Sequence, residues 1–369
     1  MLNLLHIGLG PLGKFIVSDL ARRGIGRVTA AVDIDPALTG KKLSAIVPEC
    51  GFDCPVHTTI AQATNGSAKG FDAAVLATSS DLAKCMPSLR ELLALGLPVV
   101  STCEELLYPW LRHPAHAAEL EALCVKHGGR VIGTGVNPGF MMDTLPVAAT
   151  AVCRSVKRVH IWRIQDATTR RIPFQQKIGA GLDDAAFQAK IKEGTLRHVG
   201  LGESLHFVSH YLGLNVDKWT ETIEPVKAER DLTCGLGPIP KGRAAGVRQV
   251  AKGWASKNPL LEGGGRGWVR SHTISQQVSD HEGAALGDPI ITMEFQAAIA
   301  QADPHDRIKI EAEPPIDLTI KNGVHGDIAT SAITLNAIPS LIAAKPGLHT
   351  MATVPMVHYV APNPKSAAH

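Results

Sequence analysis

Two neighbouring carboxylates, Glu104 and Glu105, end the apolar, strand-like run in "VVSTCEELLYPWL". A carboxylate at such a place can accept N–H hydrogen bonds, move protons and stabilise a cation in a water-poor pocket. It can equally serve structure. Ser101-x-x-Glu104 and Thr102-x-x-Glu105 each fit a capping box, and acids in a first helical turn are favoured by the helix dipole alone. By pattern alone, capping leads. Cys103 adjoins the pair, and a nucleophilic cysteine there would define a thioester-forming aldehyde dehydrogenase. No histidine can be placed beside it from sequence, and buried structural cysteines are the commoner case, so Cys103 is assigned to packing.

The second chemical signal is "LNLLHIGLGPLGKFIVSDLARRG", which reads as strand, tight turn and helix. Gly8, Gly10 and Gly13 form G-x-G-x-x-G, with Pro11 and Leu12 inside the turn. The first glycine turns the chain, the second lets backbone approach a pyrophosphate, and the third lets helix pack on strand. The helix N-terminus then turns its unpaired N–H groups and positive dipole end toward the phosphates. A second strand, "RVTAAVD", ends at Asp33, where dinucleotide folds place an acid on the adenine ribose hydroxyls. Asp33 also fits a turn-starting role in "DIDP". As a ribose ligand it would repel a 2′-phosphate, which favours NAD; Lys41 and Lys42 lie close enough in sequence to leave NADP open.

These residues need a scaffold, and the first half supplies one. "FDAAVLATSS", a helix over Leu82–Leu95, "GLPVVSTC", a helix over Ala115–His127 and "GRVIGTGVNPG" alternate strand with helix, predicting a Rossmann-type doubly wound parallel sheet. Ligands sit at the carboxyl ends of such strands. Thr78, Ser79, Thr102, Thr134 and Asn137 are therefore candidates for the wall around a nicotinamide ring. From about Pro146 the pattern changes to strands, including "SVKRVHIWRIQD", "RGWVRSHTISQQVS", "DPIITMEFQAAI" and "DRIKIEAEPPIDLTIK", with a glycine-rich loop at 262–267. The expected fold class is α/β, with a C-terminal α+β domain built on a mostly antiparallel sheet. The expected domains are 1–145 for the dinucleotide, 146–325 for substrate binding and dimerisation, and 326–369 as a C-terminal helix and tail packing back on the first.

Composition narrows the function classes. Among 369 residues, 37 Lys and Arg stand against 34 Asp and Glu, without a basic stripe or interleaved aromatics, so a nucleic-acid partner is not expected. Seven cysteines, scattered and never C-x-x-C, predict reduced thiols in a cytoplasmic setting and no zinc site. No run of 18 apolar residues predicts a membrane span. "VHGD" at 324–327 lacks companion ligands, so no metal is predicted.

Longer motifs now carry a resemblance. The glycine turn with Asp33, "STCEELLYPW" and "GTGVNPGFMMDTLP" resemble the dihydrodipicolinate-reductase-type dinucleotide domain of 2,4-diaminopentanoate dehydrogenases and native amine dehydrogenases. "DATTRRIPFQQKIGAG", "HVGLGES", "GDPIITMEFQA", "PHDRIKIEAEPPIDLTIKNGVHGD" and "NAIPSLIAAKPGLHTM" extend it over nearly the whole chain. The resemblance implies NAD(P)-dependent interconversion of a small ketone or aldehyde plus ammonia with an amine, in a homodimer. It places the catalytic carboxylate on Glu104, with Glu105 as the alternate, which reverses the capping reading for Glu104. The chain departs from true dihydrodipicolinate reductases: the paired histidines and lysine that grip a dicarboxylate are replaced by "VHIWRIQDATTRR", with His160 alone, which argues against a dicarboxylate substrate. Tyr108, Phe140, Met141, His160, Trp162, Gln175 and His198 are candidate pocket residues. Two other readings stand beside this one. A diaminopentanoate-type amino-acid dehydrogenase needs a carboxylate anchor, for which Arg170 or Arg171 is the candidate, whereas a non-catalytic dinucleotide sensor needs only capping glutamates.

Overall fold

The computed structural model describes residues 1–255 and 287–362. The predicted strand "RGWVRSHTISQQVS" and the loop at 262–267 lie outside them. The chain divides into two compact units, Met1–Phe140 with His325–His369, and Met141–Val324.

The first unit runs β1 (Leu2–Ile7), α1 (Pro11–Arg23), β2 (Gly26–Val32), α2 (Leu43–Ile46), β3 (Val56–His57), α3 (Ile60–Thr64), β4 (Ala73–Leu76), α4 (Leu82–Ala94), β5 (Pro98–Ser101), a 3-10 turn (Glu104–Leu107), α5 (Pro114–His127) and β6 (Arg130–Gly133). After the second unit, α10 (Gly326–Ala343) and β15 (Gly347–His349) complete it. All seven strands are parallel, in the order β15-β6-β5-β4-β1-β2-β3. Alternation along β1 explains the two-sided core. Leu4 joins Ile16, Val17 and Leu20 of α1 and Leu335, Ile338 and Leu341 of α10, whereas Leu5 and Ile7 join Leu89 and Leu92 of α4 and Leu120 of α5. Strand order reverses between β1 and β4, and at that switch point a doubly wound sheet opens its ligand crevice.

The second unit contains α6 (Thr144–Ala149), β7 (Ser155–Asp166), α7 (Ile172–Lys177), α8 (Asp184–Lys192), α9 (Leu201–Leu212), β8 (Val216–Lys227), β9 (Leu232–Cys234), β10 (Gly237–Ile239), β11 (Ala244–Ala255), β12 (Ile291–Ala298), β13 (His305–Glu313) and β14 (Ile316–Lys321). β9 and β10 pair by themselves, and the other strands form a sheet ordered β14-β13-β7-β12-β11-β8. The sheet is antiparallel except that β12 runs parallel to β7, a mixed pairing that period-2 alternation cannot reveal. The stretch "DRIKIEAEPPIDLTIK" makes two strands, because Pro314 and Pro315 offer no N–H to a ladder and the chain turns back there. One face of this sheet carries Val159, Ile161, Met293, Phe295 and Ile308, all buried, and α9 packs on the strands of that sheet with Leu205 against Gly253. Two ionic groups share that interior: Arg163 donates to both carboxylate oxygens of Asp306 at 2.7 and 2.9 Å and to the Val324 carbonyl at 3.0 Å. Burial lowers the Arg163 pKa while Asp306 opposes the shift.

Candidate active site

The glycine turn shows a division of labour. Gly8 has φ +97°, and a Cβ there would lie 2.5 Å from the Ala77 carbonyl oxygen after β4. A Cβ on Gly13 would fall 1.9 Å from the Gly8 carbonyl oxygen, so the first turn of α1 can sit on the loop only without a side chain. At Gly10, the N-cap of α1, a Cβ would meet nothing within 4 Å. Gly8 and Gly13 answer to packing, and Gly10 faces open space beside unpaired helix N–H groups. Beneath the turn His6 is buried, its Nε2 lies 3.0 Å from the Gly8 carbonyl oxygen, and burial pulls its pKa from 6.5 to about 4.

Asp33 does two jobs at the end of β2. Oδ2 accepts from the Leu9 N–H at 2.5 Å and Oδ1 from the Asp35 N–H at 2.8 Å, so it starts the expected turn and also braces the glycine loop. A carboxylate has lone pairs beyond these two bonds, which leaves it able to accept ribose hydroxyls. Lys42 pairs with Asp53 at 2.9 Å, an ion pair that competes with any role toward a phosphate.

At the carboxyl end of β4, Thr78 and Ser79 line the loop that Gly8 touches. The Ser79 hydroxyl accepts from Asp81 N–H, and its carbonyl accepts from the Cys85 thiol. Thr102 follows β5, its N–H bonded to the Leu76 carbonyl. Strands β5 and β6 are neighbours, with Ser101 opposite Gly133, so the loops after them leave the sheet edge side by side. The loop after β6 carries buried polar atoms that have no hydrogen-bond partner: Thr134 Oγ1 and both Asn137 side-chain atoms, Oδ1 and Nδ2. Such groups are costly unless something fills them.

The glutamates follow neither capping box. Glu104–Leu107 is a single 3-10 turn whose N-cap is Cys103, with no side-chain cap, and the Ser101 hydroxyl donates to Leu76 O and accepts from Cys103 N–H. Glu105 is buried and reaches elsewhere, its Oε2 accepting from Leu82 N–H at 2.9 Å and lying 2.8 Å from His113 Nε2. Glu104 is half-buried, with Oε2 shielded from solvent. Cys103 is buried with its thiol on the Ser80 carbonyl, and the Cys85 thiol and burial push its pKa well up, which keeps it from acting as a thiolate.

The expected pocket residues are spread over different surroundings. In the first unit, Tyr108 is half-buried with its ring 5.2 Å from Trp110, and Phe140 packs on the core shared by α1 and α10. In the second unit, Met141 is buried. His160 and Trp162 stack at 3.4 Å between ring centroids, and β7 alternation puts them on the sheet face opposite Val159, Ile161 and Arg163. His198 stacks instead on Phe295, which pairs with Arg163, and its backbone is held by Gln249. His160 and Trp162 therefore lie on one face of the sheet and His198 on the other. Gln175 is bonded to backbone on two sides. Its buried side chain donates to Ala167 and Thr168 carbonyls and accepts from Gly235 N–H, so it ties the end of β7 to the β9–β10 hairpin. Both histidines are held neutral. His160 falls to about 4 through burial, aided by Lys309, Lys252 and Arg307, and His198 falls well below 6.5 through burial, aided by Lys177 and Arg163.

Sequence reasoning missed His113 as a partner of Glu105 and Gly133 as the seat of the 3-10 turn. A lone histidine before Pro114 carries no periodic signal. Gly133 was visible only as a strand residue. Among the described residues, no group of three or more His, Cys, Asp or Glu could hold a metal, and no helix is long and apolar enough to cross a membrane.

Parallel strands with a glycine turn at the switch point define a dinucleotide-binding fold. The profile of the family described as 2,4-diaminopentanoate dehydrogenase C-terminal domain matches residues 140–301 and 271–368, and the chain belongs to that family. It is 28% identical over 291 residues to a 2,4-diaminopentanoate dehydrogenase of Acetoanaerobium sticklandii, covering 78% of this chain and 75% of that protein. It is 23% identical over 299 residues to an amine dehydrogenase of Streptomyces virginiae, covering 77% of each. The structure of an amine dehydrogenase from Mycobacterium smegmatis superposes with a TM-score of 0.77 at 20% identity over 97% of both chains, a likeness of fold.

Proposed function

We propose that this chain is an NAD(P)-dependent amine dehydrogenase, an oxidoreductase of CH–NH2 groups that aminates small ketones or aldehydes with ammonia and runs in reverse on amines. The observation that carries the reading is the pairing of neighbouring strand ends: Glu104 after β5, and the unpartnered Thr134 and Asn137 after β6. An amide side chain with both its acceptor and its donor atom unfilled is complementary to a carboxamide, which offers one of each. Asn137 with Thr134 would hold the nicotinamide amide, Gly8, Gly10, Pro11, Leu12 and Gly13 the pyrophosphate, and Asp33 the adenine ribose, with Thr78, Ser79 and Thr102 along the same edge. Bound there, the cofactor supplies or accepts a hydride.

Glu104 would do the remaining chemistry. Its carboxylate accepts N–H hydrogen bonds from ammonia, takes the proton that the nitrogen gives up on adding to the carbonyl, returns it to the hydroxyl that then leaves as water, and stabilises the resulting iminium by its charge. The Asp33 carboxylate favours NAD over NADP. A homodimer is the assembly the family resemblance supports, and a light-scattering mass of two chains checks it. Seven free thiols fit a reducing, cytoplasmic compartment.

The family description and its 28% identical relative favour a second reading, an amino-acid substrate of the diaminopentanoate type. In that case Arg170, whose guanidinium lies 4.2 Å from the Phe174 ring centroid, or Arg171, at the N-cap of α7, would anchor the carboxylate. The test is NADH or NADPH oxidation with small ketones and aldehydes, with and without a carboxylate, with and without ammonium at alkaline pH. Ammonium-dependent oxidation is expected, and oxidation without ammonium would make the protein a carbonyl reductase. Glu104→Gln should lose about 10²–10³-fold in turnover with cofactor affinity retained; unchanged turnover removes Glu104 from the reaction.

A further inference from the structure

The turn that carries Glu104 is fastened from several directions, and one carboxylate makes two of the attachments. Glu105 donates its N–H to the Ser80 carbonyl at 3.2 Å, and its Oε2 accepts from Leu82 N–H and His113 Nε2–H. Leu82 is the first residue of α4, whose N–H has no intrahelical acceptor. His113 is the N-cap of α5, with its own N–H on the Pro109 carbonyl at 2.8 Å. On the other side the turn lies against β6 so closely that a Cβ on Gly133 would come within 2.6 Å of the Leu106 carbonyl carbon. A 3-10 turn has about three residues per revolution, so adjacent side chains diverge by about 120°. Fixing the backbone at Glu105 therefore fixes the direction in which the Glu104 side chain leaves the turn.

We infer that Glu105 and His113 form a positioning pair that aims the Glu104 carboxylate by locking its turn to the starts of α4 and α5. The inference rests on the catalytic assignment of Glu104 made above. His113 touches no reacting atom. Its Nε2–H holds Glu105 in the rotamer that also reaches Leu82, and without it the turn keeps one attachment fewer. Misplacing a reacting group by about 1 Å can cost on the order of 10²-fold in rate.

The experiment compares the unmodified protein with His113→Leu, His113→Asn, His113→Gln and Glu104→Gln, measuring kcat and KM with a small ketone and ammonium, and NADH affinity by fluorescence. Leucine and asparagine withdraw the donor from the Nε2 position, whereas glutamine returns an N–H there. The expected result is a fall in kcat of about 10–100-fold for His113→Leu and His113→Asn. Their NADH affinity should stay within about threefold of the parent, and His113→Gln should restore most of the rate. A full kcat in either donor-less variant that still binds NADH overturns the inference. Loss of NADH binding in both makes the pair a folding element and overturns it too, as does failure of rescue by glutamine. Outcomes for the underlying reading are separate. No ammonium-dependent oxidation by the unmodified protein, or full activity in Glu104→Gln, sinks the amine dehydrogenase chemistry or the role of Glu104 whatever the His113 variants do.

Discussion

Single side chains here show how one residue type splits between chemistry and support. Glu104 and Glu105 are chemically identical neighbours. Glu105 anchors its turn through Leu82 and His113, and Glu104 is the one proposed above for the reaction. Asp33 braces the glycine loop and is also the residue proposed for the adenine ribose. Asp33→Ala should therefore do more than relax cofactor choice. Losing the charge removes the bias against a 2′-phosphate, and losing the 2.5 Å bond to Leu9 loosens the loop for either dinucleotide. NADH affinity should fall by about tenfold or more, roughly 1.4 kcal/mol, while NADPH affinity changes less. Titration of both cofactors checks this, and an unaltered NADH-to-NADPH ratio takes Asp33 away from the ribose.

At the scale of elements, β1, its glycine turn and α1 form a unit in which both the spacing and a separate reason for each glycine were legible. The distances that separate the three were not. Packing separates them, since a Cβ is impossible at Gly13 and meets open space at Gly10. Gly10→Val should fold with a melting temperature near that of the parent and lose cofactor binding. Gly13→Ala should lose about 3 kcal/mol of stability or fail to fold, because overpacking against the Gly8 carbonyl has no flexible side chain to absorb it. Thermal melts and NADH titrations of the two variants check the division, and a Gly10→Val protein that binds NADH normally would move the pyrophosphate elsewhere. The sequence after β5 fits two capping boxes, yet it forms a single 3-10 turn with no side-chain cap. The turn stops at Tyr108, the residue before Pro109, where a proline ring disfavours helical backbone and offers no N–H.

Across the whole molecule, neutral histidines couple stability to pH. His6 and His160 have folded-state pKa values of about 4, and His198 is lowered as well, each chiefly by burial. In the unfolded chain these rings protonate near 6.5. The stabilisation is thus fully present above about pH 6.5 and is lost as pH falls toward 4, because the unfolded state takes up protons the folded state refuses. Fully buried His6 contributes about 3 kcal/mol of this by the size of its shift. The melting temperature should drop steeply between pH 6.5 and 4, and His6→Gln should flatten that drop; a curve unchanged by the substitution would remove His6 as a source.

Local pattern determined the alternating half, its parallel sheet, the strand over 155–166 and the helical character of the segment ending at Ala343, because period and turn chemistry are properties of adjacent residues. The motifs extended that reading to the family. Neighbourhood across the chain could not be read in the same way. The parallel partnership of β12 with β7, the opposite faces of His160 and His198, the structural burial of Gln175 and the grip of His113 on Glu105 each depend on residues brought together from distant segments or on strand parity within a finished sheet. Local spacing sets which elements form, and only packing of those elements decides which polar atoms are consumed by the fold and which are left for a ligand.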